Sequence, residues 1–506
     1  MTTPAILSVP VKIVLDGFSL TVVDLVAIAR GPAQIAVPHL AMNNVDRVHE
    51  RLLLARESGT VYGANTGVGA NRHVGVGDGR ATRAAHAMGL LRSCCAGVGT
   101  VEEAVTARAT MAVRLNQFLA GGSGISGPIA RGLMAAITSG SVPTLHRLGA
   151  IGTADLSPLA ELALTLVGDR PWLSGGIAPV PLADSDALPF ISSSALTVAT
   201  AALAAEDLDS LLQSASVVAA LSFLALDGSA EAYDDLVHRA RPLPHQRAIA
   251  GTLRHLVGAN TEAPRPSARL QDPFGLRMVP QVHAPAVGAI GHLMEILDIE
   301  INAASENPLV TDQGVRHHGQ SHQAALALAL DSAKISIFPM LTLSAARLGL
   351  LLDPEMTGLA PFLSDDLPGS SGLMITEYVV QDVLSELRNI LAPVGSASVS
   401  ISLGTEEHAS FAAQAARQLH VATASAPVIL AIEAIAAVRA LQLAPERLGS
   451  APARRAYDYL ASELEADVAD RSLGDDIGRA TRLLPGLAQF AVPEYLETHT
   501  GPGFKA

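Results

Sequence analysis

The sequence predicts a mainly α-helical protein, a long helical bundle carrying a smaller mixed N-terminal region. Three observations predict it. Hydrophobic residues make up 49% of the 506 residues and aromatics only 3%, so the apolar mass is Ala, Leu, Val and Ile. Ala and Leu are strong helix formers. Helix-spaced apolar residues run on from about residue 190, over 192–206, 208–226, 281–303, 321–350, 374–391, 407–442 and 452–469. The clearest strand signal, Val11 to Leu15, is short and lies near the N-terminus.

The elements follow in chain order. Val11 to Leu15 is β-branched, and Asp16-Gly17 turns the chain. Thr21 is placed to cap a helix that Gly31-Pro32 stops. Val45 to Glu57 reads as an amphipathic helix. Residues 60–80 form a long glycine-rich loop, and long ordered loops in compact domains are usually functional. Helices are expected over 82–91, 101–120 and 127–138. At Asp155-Leu156-Ser157-Pro158 a small-residue loop enters the apolar run Leu159 to Val167. Asp155 or Ser157 is the expected N-cap and Pro158 the first helical residue. Pro339 is expected to kink the helix at 321–350, and Pro427 to interrupt the one at 407–442. No clean linker or repeat divides the chain. Residues 1–190 and 191–506 read as two regions of one continuous globular unit.

Charge and composition exclude several function classes. The net charge of -14 leaves no basic stripe for nucleic acid or an anionic membrane. Leu188 to Ala205 and Ser210 to Leu226 are uncharged and near spanning length. Their Ser and Thr residues, and the acids between them, favour burial inside a bundle, so no membrane partner is expected. The adjacent Cys94 and Cys95 build neither a disulfide framework nor a zinc site. With no basic region before the first apolar residues, a cytoplasmic setting is expected. His317, His318 and His322 lack the acid and spacing of known zinc helices, so no metal is expected. The glycines at 67, 69, 75, 77 and 79 form no dinucleotide fingerprint, and no P-loop is present. No external cofactor is expected.

Five stretches carry the candidate chemistry. They are Y-G-A-N-T-G-V-G (62–69), G-A-I-G-T-A-D-L-S-P-L-A (149–160), Q-D-P-F-G-L-R (271–277), S-E-N-P-L-V (305–310) and T-E-E-H-A-S (405–410). Together they resemble the histidine and aromatic amino acid ammonia-lyase family, over nearly the whole chain. The resemblance implies the ammonia-lyase and fumarase-like helical architecture. It implies a homotetramer with active sites shared among subunits, and a small carboxylated, amino acid-like substrate.

Tyr62 matches the family tyrosine that removes the β-proton of the substrate. A phenol titrates near 10, so a base needs positive charge or hydrogen-bond donors beside it. Asn65, the loop amides and Arg72 are candidates. By itself Tyr62 reads equally as a half-buried tyrosine packing its loop. Arg277 matches the arginine that holds the substrate carboxylate, a bidentate task suited to a guanidinium. Gln271 matches a glutamine of that site, and Phe274 replaces the usual tyrosine. Cys94 falls where histidine- and tyrosine-using members have a histidine, which argues against histidine as substrate. Alone it reads as a small buried hydrophobe. Glu406 matches an acid near the substrate amine or side chain, and reads equally as an acidic helix start. His322 matches a family histidine.

In the family, an Ala-Ser-Gly triplet before Asp-Leu cyclises into the electrophile methylidene-imidazolone. Here the triplet is Gly152-Thr153-Ala154. Ala154 adds a Cβ beside the attacking nitrogen, and Thr153 would leave a methyl on the carbon to be attacked. The segment is one residue short before Asp155. Ser192 stands where an asparagine bonds the ring oxygen. The two substitutions are expected to slow cyclisation and blunt the electrophile, the shortening to reshape the loop, and Ser192 has no side-chain amide N–H to donate. Three readings stay open. One is an ammonia-lyase or aminomutase. Another is a base-assisted elimination, addition or cyclisation without the electrophile, in specialised metabolism. The last is a non-catalytic homologue, against which Tyr62 argues.

Overall fold

The computed structural model describes residues 12–31, 33–77, 79–259, 269–365, 367–397 and 399–491. The Val11 part of the expected strand and Pro32 lie outside them. The helices are α1 (Val22–Arg30), α2 (His39–Ser58), α3 (Arg80–Cys94), α4 (Ala104–Ala120), α5 (Gly127–Thr138), α6 (Leu156–Leu166), α7 (Ala187–Ile191) and α8 (Ala195–Ala225). They continue with α9 (Asp235–Ala240), α10 (Gln246–Leu256), α11 (Phe274–Arg277), α12 (Val279–Ile301), α13 (Ala324–Leu352), α14 (Pro354–Thr357), α15 (Thr376–Asn389), α16 (Ala412–Leu443), α17 (Arg454–Ala461) and α18 (Gly474–Leu487). Strands among the described residues form only two-stranded ladders. Lys12–Val14 pairs in parallel with Gln34–Ala36, and Leu309–Thr311 antiparallel with Gly314–Arg316. The protein is mainly α, as its composition predicts.

The chain forms two compact units, each assembled from three stretches. The first comprises Met1–Glu206, Leu293–Asp331 and Pro393–His420, the second Asp207–His292, Ser332–Ala392 and Val421–Ala506. In the first, α4 is buried almost throughout and carries Arg114 into the core. Arg114 donates to Glu306 at 2.7 Å and to the carbonyls of Phe190 and Pro189. The acid of S-E-N-P-L-V thus compensates a buried cation, which is too costly to leave unpaired.

Several local expectations shift. Thr21 caps α1 through a capping box with Asp24. The expected helices 192–206 and 208–226 are one, because Glu206, Asp207 and Asp209 stay partly exposed and no Gly or Pro separates them. Pro427 does not interrupt α16, whose buried surroundings outweigh one missing hydrogen bond. Asp155 takes the N-cap position of α6 as expected, but its side chain makes no capping hydrogen bond. Its carboxylate instead accepts from the Thr197 amide (2.7 Å) and hydroxyl (2.8 Å), in the first turn of α8. Pro158 is the third residue of α6, not the first. Three helical stretches, Ala187–Ala225, Ala324–Leu352 and Ala412–Leu443, are long and apolar enough to cross a membrane. The most apolar window of Ala187–Ala225 is wholly buried in the protein.

Candidate active site

A cavity of about 900 Å³ opens in the first unit, and Tyr62, Cys94, Thr153, Ala154, Ser192 and Glu406 all line it. Residues scattered over more than three hundred positions thus meet around one space.

The glycine loop presents Tyr62. Asn65 builds this loop and leaves the phenol alone. Its side chain accepts from the Val61 amide (2.8 Å) and donates to the carbonyls of Arg56 (3.2 Å) and Gly59 (2.8 Å). The phenol oxygen accepts from the Gly69 N–H at 2.8 Å. Gly69 has φ +57, and a Cβ there would stand 2.6 Å from the Ser402 hydroxyl. Ser402 in turn accepts from the Ala70 amide (2.9 Å), and Arg72 donates to Thr405 (3.0 Å). The loop is therefore fastened to residues 402–405. Burial pushes the phenol above its ordinary value. The Gly69 amide opposes that, Glu406 adds to it, and Arg72 opposes it more weakly. Within one chain the net direction is upward, away from a base at neutral pH.

Glu406 does not begin a helix, because α16 starts only at Ala412. It sits in a short bridge with Ile401. Burial pushes the Cys94 thiol up, away from the thiolate form. The Cys94 carbonyl accepts from the Ser157 hydroxyl at 2.8 Å.

The first residue of the triplet and the residues flanking it are held by backbone hydrogen bonds. The Gly152 carbonyl accepts from the Ser410 hydroxyl (2.8 Å) and the Gln323 N–H (3.3 Å). The Ile151 carbonyl accepts from Phe411 (2.8 Å), and the Asp155 amide donates to Ser193 (2.7 Å). Gly152 has φ +85, and a Cβ there would lie 2.1 Å from Ser410, so only glycine is accommodated. Ala154 has φ +112, a backbone that its Cβ opposes. The Ser192 hydroxyl accepts from the Asn307 amide at 3.1 Å. Burial raises the Asp155 carboxyl to about 6, although the hydrogen bonds from Thr197 pull it down.

Gln271, Phe274 and Arg277 lie in the second unit, and none lines this cavity. Gln271 is exposed, and Phe274 is 60% exposed. The Arg277 guanidinium stacks over the Phe274 ring, 4.5 Å from its centroid, and its buried Nε has no hydrogen-bond partner. A phenyl face holds a guanidinium as well as a phenol face does.

The three histidines of the 317–322 stretch all line the cavity but make separate contacts. His317 sets its ring edge-on to Tyr62 and its Nε2 accepts from the Tyr62 amide at 3.3 Å. His322 shares a hydrogen bond with His408 at 2.9 Å. Among the described residues no group of three or more potential metal ligands occurs. Sequence reasoning passed over His408, Ser410 and Asn307. All three stand inside motifs it quoted, and their partners lie far away along the chain.

A profile of the aromatic amino acid lyase family matches residues 20–462. The chain belongs to the histidine and aromatic amino acid ammonia-lyase family. It is an enzyme of carbon–nitrogen lyase kind. A histidine ammonia-lyase of Geobacillus thermodenitrificans is 32% identical over 491 residues, covering 92% of this chain and 95% of the relative. The crystal structure of histidine ammonia-lyase from Trypanosoma cruzi superposes with a TM-score of 0.88 at 26% identity, covering 97% and 98% of the two chains. Tyrosine aminomutase from Streptomyces globisporus gives a TM-score of 0.87 at 26% identity, with 97% and 98% covered. The family thus spans elimination and amine migration on one fold.

Proposed function

We propose that this chain expels an amine from a small carboxylated, amino acid-like substrate, with Tyr62 as the base. The observation that carries this is the half-buried Tyr62 phenol, held by the Gly69 amide at 2.8 Å on the wall of a cavity shared with Thr153 and Glu406. A phenol pushed upward by burial needs added positive charge to work as a base. Arg277, stacked on Phe274 with an unpaired Nε, suits that task when a second subunit brings it to the cavity. There it would clamp the carboxylate and lower the phenol together, with Gln271 beside it. This reading needs a homotetramer with shared sites. The two free cysteines suit a reducing cytoplasm, and the charge of -14 suits neither nucleic acid nor an anionic membrane.

Gly152-Thr153-Ala154 does not fit the family's self-formed electrophile. The Ala154 Cβ opposes a backbone already at φ +112. Ser192, whose hydroxyl accepts from the Asn307 amide, has no side-chain amide N–H to offer where the family's asparagine bonds the ring oxygen. We therefore derive no step through that group. Without a covalent amine carrier, an amine can be expelled but not held for re-addition, which favours elimination over migration. The same departures favour a second reading, base-assisted addition or cyclisation in specialised metabolism.

The test is ammonia release from a panel of the twenty proteinogenic L-amino acids, with Tyr62→Phe beside the wild type. Turnover lost in the variant supports the reading, and unchanged turnover removes Tyr62 from the mechanism. Mass analysis of the tryptic peptide Leu148 to Arg239, which stays whole because Pro171 blocks cleavage after Arg170, completes it. A peptide short of two waters would overturn the uncyclised triplet.

A further inference from the structure

The core of the second unit holds a charged cluster that no catalytic step uses. Glu433 of α16 and Arg347 of α13 are both fully buried, and they form a two-pronged pair at 2.6 and 2.9 Å. Ser222 of α8 and Ser344 of α13 also donate to the Glu433 carboxylate. Replacing such a pair by apolar residues is often neutral or stabilising, so stability does not explain it. One guanidinium nitrogen of Arg347 is spare. It donates to the Gly275 carbonyl at 3.2 Å, out of the helix layer and into the Q-D-P-F-G-L-R turn.

A second buried side chain reaches the same turn. Tyr233 is 1% exposed, and its hydroxyl donates to the Leu276 carbonyl at 2.6 Å. The front of the turn is fixed as well. Asp272 accepts from the Ser229 amide (2.6 Å) and from Arg269 (2.9 Å). Gly275 packs directly on α13, where a Cβ would stand 3.2 Å from both Arg347 and Leu350. The two carbonyls immediately before Arg277 are thus each captured by a buried donor. Arg277 itself projects from this anchored turn over Phe274 with its Nε unpaired.

We propose that Arg347 and Tyr233 are positioning residues that aim Arg277, by holding the carbonyls of Gly275 and Leu276. Glu433 keeps Arg347 in place for that purpose. The geometry explains why an ion pair is kept in an otherwise apolar helix core. Its spare donor sets the direction of a cation presented outside that core. The proposal rests on the reading of Arg277 as the carboxylate clamp.

The experiment uses the full-length protein and the panel amino acid with the highest turnover. If none turns over, it uses the one that binds most tightly by calorimetry. Its decarboxylated amine serves as the control ligand. Tyr233→Phe removes one hydroxyl and little volume, so it avoids the folding risk of Arg347→Met. Arg277→Met should raise KM, or Kd, with a smaller effect on kcat. Tyr233→Phe should raise the same constant about five- to tenfold with kcat nearly unchanged, as expected for one buried hydrogen bond. Binding of the decarboxylated amine should not change. In the Arg277→Met background, Tyr233→Phe should add nothing, because both act through one contact. If Arg277→Met has no effect, or the wild type binds no panel member, the clamp reading fails and takes the proposal with it. If Arg277→Met acts but Tyr233→Phe does not, or its effect persists in the double variant, the positioning role alone is overturned.

Discussion

In the loop from Tyr62 to Gly77, positive φ falls on glycines alone, at Gly63 and Gly69. In the loop from Gly149 to Asp155 it falls on Gly149, Gly152 and also Ala154. Both loops line the same cavity. The first supplies each demanding backbone position with the residue that meets it, and its phenol keeps a donor at 2.8 Å. The second places an alanine at one of its demanding positions. The contrast teaches that two loops lining one cavity can meet their backbone demands differently, one with glycine throughout and the other with an alanine at one such position. Ser410 and Gln323 hold the Gly152 carbonyl and Phe411 the Ile151 carbonyl just before it, contacts that do not depend on the side chains at 153 and 154.

Four substitutions break or sharpen this contrast. The largest effect is expected for Tyr62→Phe, which should cut turnover on the order of a hundredfold or more, the usual worth of a positioned base. Steady-state assay on any panel substrate reads it, and a loss under tenfold would demote the phenol. Next is Gly69→Ala. The added Cβ meets Ser402 at 2.6 Å and disturbs the amide that holds the phenol. We expect about tenfold lower kcat, and unchanged kcat would show that the loop tolerates the clash.

Asp155→Asn follows. The buried carboxyl titrates near 6 in the folded protein and near 4 when unfolded. A raised carboxyl favours the folded state while it is protonated. Its contribution is whole below about pH 4 and is lost as pH rises through about 6. Asparagine should remove that decline, on the order of 1–3 kcal/mol. Denaturant midpoints of both proteins across this window would show it, and parallel curves would refute it. The smallest effect belongs to Ala154→Gly, which relieves φ +112. It should stabilise the protein by about 1 kcal/mol, after the entropy that glycine adds to the unfolded chain. An unchanged urea midpoint would show that the triplet carries no strain.

Much of the fold was legible because helix signals are local. The Thr21 capping box, the glycine that ends α4 and the apolar runs of α12, α13 and α16 all depend on neighbours along the chain. The site was legible in part. Tyr62, Cys94, Thr153, Ser192 and Glu406 do line one cavity. The helix start that was one of two readings of Glu406 is absent, and Asp155 takes the N-cap position of α6 without the capping hydrogen bond. Each rested on a good local rule that a distant partner outcompeted. Thr197 claims Asp155 across 42 positions, and Ile401 bridges to Glu406 before any helix begins.

By itself the sequence determined the helical class, the family and the identity of the groups available for chemistry. Periodicity, composition and motif are properties of neighbouring residues, and they survive without a fold. Only the tertiary structure decided which of those groups meet. It set Gly69 on the Tyr62 phenol, Ser410 on the Gly152 carbonyl, His408 on His322 and Arg347 on the Arg277 turn. Three of these four contacts join residues at least 72 positions apart. They form because buried donors and acceptors must find partners, and in a closed interior the nearest partner in space is seldom the nearest in the chain.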